Sequence, residues 1–140
     1  MSGSGGVPPL AVLGTHALIW HALGRRTRLG RKAAAFLDRV ECGEAAAWVP
    51  AIALVELLEA AHRGVIRLEG GSDAWVQGLM GSGSFFVAEL TAEVALRADA
   101  LYAIPERGDR LIAATAAHLG LPLVTRDPDI ARAAGVALLW

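Results

Sequence analysis

The chain has one cysteine, one lysine and one tyrosine. Cys42 has no partner within the chain, which excludes an internal disulfide and suits a reducing compartment. With Lys32 the sole lysine and a net charge of −1, the chain lacks the global basic footprint that nucleic-acid binding leaves. Any phosphate contact must therefore come from local arginines. No apolar run is long enough for a membrane: the longest, Ala45 to Val55, is interrupted by Pro50 and falls short of the roughly 20 residues a spanning helix needs. The opening Met-Ser-Gly-Ser-Gly-Gly-Val-Pro-Pro has neither the basic nor the apolar stretch of a secretion signal. A cytoplasmic location without membrane contact is expected.

Several motifs are missing as well. No Gly-x-Gly-x-x-Gly follows the first apolar run, and the glycine-containing basic stretch 24–32 lacks P-loop spacing. Gly81-Ser82-Gly83 does not have the spacing of a nucleophile elbow, and His16 and His21 are five apart, which is not a metal-binding pair. What remains is a chain of 140 residues, 54% hydrophobic and 19% charged, which has the balance of one folded domain. The Gly/Ser-rich start predicts a flexible tail over residues 1–9 and a domain over 10–140.

Short apolar runs alternate with helical patterns. Strands are expected at Leu10–Leu13, Ala46–Ala51, Phe85–Leu90, Leu121–Thr125 and Val136–Trp140. Helices are expected from Thr15, over Leu29–Val40, Ile52–His62, Ser72–Met80, Thr91–Tyr102, Asp109–Leu119 and Asp127–Ala134, with Thr15 and Ser72 as N-caps. Strands that are apolar throughout point to a mostly parallel central sheet covered on both faces, an α/β architecture.

Open parallel sheets bind ligands beyond the carboxyl ends of their strands, and acids fall at several of those places. Glu56 sits within Ile52-Ala53-Leu54-Val55 and Leu57-Leu58, a helix with little else to offer a charge. Glu106 precedes Asp109 by three residues, and Asp127 follows the fourth strand. Taken singly, Asp109 and Asp127 are equally well read as helix caps, and Glu56 as half of an arginine salt bridge. Taken together, carboxylates gathered at one sheet edge repel one another and call for a cation. An all-oxygen donor set suits Mg²⁺ or Mn²⁺.

Four segments carry a resemblance: Ala11-Val12-Leu13-Gly14-Thr15-His16-Ala17-Leu18-Ile19-Trp20, Val49-Pro50-Ala51-Ile52-Ala53-Leu54-Val55-Glu56, Gly108-Asp109-Arg110-Leu111-Ile112-Ala113-Ala114-Thr115-Ala116 and Leu121-Pro122-Leu123-Val124-Thr125-Arg126-Asp127. In order and spacing they resemble the signature segments of PIN domains, and most of all the VapC-like toxins of bacterial toxin–antitoxin pairs. The resemblance implies a three-layer α/β/α sandwich and a metal-dependent endoribonuclease. In that enzyme Glu56, Asp109 and Asp127 are catalytic, and with Glu106 they hold Mg²⁺ or Mn²⁺. Thr15 matches a hydroxyl residue near the metal. It further implies an RNA substrate, an antitoxin that covers the acidic site, and a homodimer. Arg110 and Arg126, with Arg25, Arg26, Arg28 and Arg107, are the expected phosphate contacts. One departure stands out: the family carries Asp after the first strand, where this chain has Gly14. The alternative is therefore a catalytically inactive PIN fold that binds RNA or a partner protein.

Overall fold

Apolar runs without polar alternation become strands buried on both faces. The computed structural model, which describes residues 7–140, forms one sheet from β1 (Leu10–Leu13), β2 (Ala46–Pro50), β3 (Phe85–Ala88), β4 (Leu123–Val124) and β5 (Leu138–Leu139). The order is β3-β2-β1-β4-β5, and every pairing is parallel. The helices are α1 (Thr15–Ala22), α2 (Arg31–Glu41), α3 (Ala51–His62), α4 (Ser72–Met80), α5 (Ala92–Asp99), α6 (Arg107–Leu119) and α7 (Pro128–Ala134). Ala11, Val12 and Leu13 are consecutive and wholly buried, which requires helices on both faces of the sheet. The result is a three-layer α/β/α sandwich.

Strand order locates the binding crevice. From β1 the chain moves outward to β2 and β3, then crosses back to β4 and β5 on the other side. The connections of neighbours β1 and β4 thus leave in opposite directions, and such a switch point opens a crevice at the strands' carboxyl ends. Val12 pairs with Leu123 and Leu13 with Val124 there. The Gly14 amide then donates to the Val124 carbonyl at 3.0 Å.

The elements differ from expectation mainly at their ends. The last three strands are shorter than their apolar runs because a partner or a proline stops them. Ala88 pairs with Pro50, after which the chain turns at once into α3. Pro122 has no N–H with which to extend β4, and β5 can match only the two residues that β4 offers. The helix expected over Thr91–Tyr102 ends at Asp99, with the Thr91 hydroxyl capping the Val94 amide at 3.2 Å. Thr15 and Ser72 are not N-caps: Gly14 and Gly71 hold those positions without side-chain bonds. Conversely, Glu106 and Asp127 do cap α6 and α7. Of the expected 1–9 tail, residues 1–6 lie outside the described residues, while the Pro9 carbonyl accepts from the Ala46 amide at 2.9 Å.

The start of α2 is closed by a distant residue. Its N-cap, Gly30, has no side chain to offer, and the Trp140 carbonyl accepts from the amides of Lys32 (3.0 Å) and Ala33 (3.3 Å). A β-carbon on Gly30 would run into the backbone and ring of Trp140. Gly78, inside α4, has open space around it. Gly30→Ala should therefore lower stability by roughly 1–3 kcal/mol through overpacking. Gly78→Ala should raise it by about 0.5–1 kcal/mol through helix propensity. Thermal melts of both variants against the parent check the opposite signs.

Candidate metal and phosphate cleft

The cleft at the switch point has a volume of about 330 Å³ and is lined by residues from most of the sheet's carboxyl edge. α3 contributes Glu56. That helix buries Ala53, Leu57 and Ala60, so the residue just before Leu57 stands at the margin of the packed face and is half-buried. The Thr15 hydroxyl, at the first position of α1, donates to Glu56 Oε1 at 2.5 Å. This bond replaces the capping role expected of Thr15, and it ties α1 to α3 at the cleft floor.

The first turn of α6 supplies the next acids. Glu106, its N-cap, accepts from the Asp109 amide at 2.7 Å, as an N-terminal carboxylate should. Between them Gly108 is buried, and a β-carbon there would collide with the Glu56 carboxylate and come within 3.0 Å of Glu106 Oε1. The absence of a side chain at 108 is what lets Glu56 pack onto the start of α6. Asp127 lies beyond the lining of the cleft, where its Oδ1 accepts from the Asp129 amide at 2.9 Å.

Asp109 collects the electrostatic consequence. Its pKa is raised, first by burial and then by Glu106, Glu56 and Asp127, with His16 acting weakly in the other direction. The other three acids singled out from the sequence thus all act on Asp109. Among the described residues, no three His, Cys, Asp or Glu side chains are close enough to enclose one ion. Mg²⁺, however, is usually held by one or two carboxylates and keeps several waters. The carboxylate oxygens around Asp109, which carry unbalanced negative charge, suit such a loosely held hard cation.

The expected phosphate contacts separate. Arg126 lines the cleft. Arg110 does not: its Nη1 donates to the carbonyls of Ile104 (2.9 Å) and Pro105 (3.0 Å), and its guanidinium lies over the Tyr102 ring at 4.3 Å. Arg26 is bound to Asp38 (3.0 Å) and Glu41 (2.6 Å), and Arg28 covers Trp20 at 5.3 Å. Arg25 and Arg107 are also absent from the lining. The lining residues that escaped the sequence reading include His16, Arg63 and Trp140. Arg63 follows Glu56 by seven positions, so helical periodicity puts both on one face.

Gly14 needs no special backbone. Its φ of −73° and ψ of 166° suit any residue. A β-carbon there would lie 3.0 Å from the Val124 carbonyl oxygen, so a side chain fits only if β4 gives by a few tenths of an ångström.

A family model described as PIN domain matches residues 11–136. Among curated proteins none matches the chain. Among solved structures, VapBC2 from Rickettsia felis, bound to a DNA fragment from their promoter, is similar at TM-score 0.67 and 15% identity, covering 92% of this chain and 96% of that one. FitAcB from Neisseria gonorrhoeae is similar at TM-score 0.63 and 23% identity, covering 93% and 96%.

Ionised Asp109 is opposed by burial and by its neighbours, so its raised pKa means that stability falls as pH climbs from the ordinary carboxylate range through that raised value. Asp109→Asn should raise Tm by a few degrees at pH 7 in EDTA, and the gain should vanish once the pH is low enough to protonate Asp109. Melts across that range check both the sign and its loss.

Proposed function

Because the chain belongs to the PIN domain family, we propose that it is a metal-dependent endoribonuclease and the toxin of a toxin–antitoxin pair. The observation that carries this reading is the cleft at the switch point, where Glu56 from α3 meets Glu106 and Asp109 at the start of α6 across Gly108. A hard divalent cation, when bound, polarises a phosphoryl oxygen and lowers the pKa of a water. The chain's own residues do the rest. Asp109, Glu56, Glu106 and Asp127 supply the negative oxygens, the Thr15 hydroxyl fixes the Glu56 carboxylate, and Arg126 meets a phosphate at the rim.

An antitoxin partner is supported by the similarity to VapBC2 and FitAcB. Self-association into a homodimer is supported by exposed Leu96 and Tyr102 on and just after α5. A cytoplasmic place is consistent with the lack, among the described residues, of any helix long and apolar enough to cross a membrane.

Gly14 favours a second reading, a PIN fold without catalysis that binds RNA or a partner protein. The cleft then keeps its acids but lacks a carboxylate at the end of β1, and misplacement of reacting groups by about 1 Å can cost about a hundredfold in rate. Cleavage of a fluorescent single-stranded RNA, with Mg²⁺ and with EDTA, separates the readings. The nuclease reading expects slow Mg²⁺-dependent cleavage by the parent, faster cleavage by Gly14→Asp per folded molecule, and none by Asp109→Asn. No cleavage by either the parent or Gly14→Asp would leave the inactive, binding-only reading.

A further inference from the structure

We infer that Arg63 is a substrate-positioning residue that holds a backbone phosphate of a single-stranded nucleic acid as it leaves the acidic cleft. The inference deepens the proposed function and rests on it. Arg63 caps the C-terminus of α3, where Gly64 at φ +75° ends the helix. It lines the cleft that holds Glu56, Glu106 and Asp109. It also borders a second, mostly apolar hollow formed with Val55, Leu58, Glu59 and His62. Arg63 is shared by the two, so a strand passing from one to the other passes this residue.

Charge makes such a contact necessary. A phosphodiester approaching three lining carboxylates is repelled, and cations at the rim must offset that repulsion over and above any bound metal. Arg126 stands at the rim on the loop after β4, and Arg63 comes from the end of α3. Among the arginines, Arg63 and Arg126 are the ones that line this cleft, whereas Arg110, Arg26 and Arg28 are engaged with carbonyls, carboxylates or a ring. Arg63 is exposed and forms no ion pair among the described residues. The competing role for an arginine at a helix C-terminus is to complement the helix dipole, which affects stability and leaves RNA affinity alone.

The test measures binding of a fluorescein-labelled single-stranded RNA by anisotropy over a salt series, in the Asp109→Asn background so that the RNA stays intact. Each phosphate contact contributes about −0.7 to the slope of log K against log salt for single strands. Arg63→Ala should weaken binding severalfold and flatten the slope by about that amount, with Tm unchanged. Arg63→Lys should keep most of the slope. Arg67→Ala, whose side chain borders a different hollow, should leave both quantities at the parent value. In the cleaving protein, Arg63→Ala should raise KM much more than it lowers kcat. If Arg63→Ala binds as the parent does while Arg126→Ala binds weakly, Arg63 has no substrate contact and the nuclease reading stands. Equal losses in Arg63→Ala and Arg67→Ala would reduce the effect to general charge and overturn the assignment. If neither the parent nor any variant binds or cleaves RNA, the nuclease reading fails and takes this inference with it.

Discussion

Asp109 is the point at which this molecule's charges fail to balance. Burial, Glu106, Glu56 and Asp127 all favour its neutral form, and His16 offers little against them. A fold selected for stability alone would place a cation beside such a group or remove the carboxylate, because an unpaired charge in a partly buried site is costly. The surrounding structure keeps it and organises around it. A parallel sheet whose connections reverse direction between β1 and β4 opens the crevice, and α3 and α6 meet there with only the hydrogen of Gly108 between them. Thr15 then holds Glu56 from the far side.

Much of this could be read from the amino acids. Consecutive buried residues such as Ala11, Val12 and Leu13 are legible because apolar runs without alternation have few other places to go. Glu56 is legible because a carboxylate inside an apolar helix contradicts its surroundings. The ends of β3 and β5 were not legible, since these strands stop where their partners stop, which only the assembled sheet decides. Thr15 was misread as a cap for a similar reason: its hydroxyl is used by a residue 41 positions away, and a local rule cannot see that partner.

The cations were the hardest to assign. Arg110 directly follows Asp109, and its position in the chain suggests a phosphate contact. In space it closes its own helix start through the carbonyls of Ile104 and Pro105 and stacks on Tyr102. Arg63 sits after the helix and looks like an ordinary terminal arginine, yet it reaches the cleft. Gly108 illustrates the same limit. Its neighbour Asp109 draws attention as an acid, whereas the glycine's importance is a steric fact about Glu56, on another helix.

If the unbalanced carboxylates around Asp109 exist to hold a hard cation, binding that cation must stabilise the folded protein by mass action, by about 2.7 kcal/mol at a concentration of 100 Kd. The most direct measurement is Tm of the parent and of Asp109→Asn as Mn²⁺ is titrated from an EDTA baseline. A cation site centred on Asp109 predicts a parent Tm that climbs with Mn²⁺ and a variant that starts higher and stays nearly flat. A parent that does not respond, or a variant that responds equally, would contradict it.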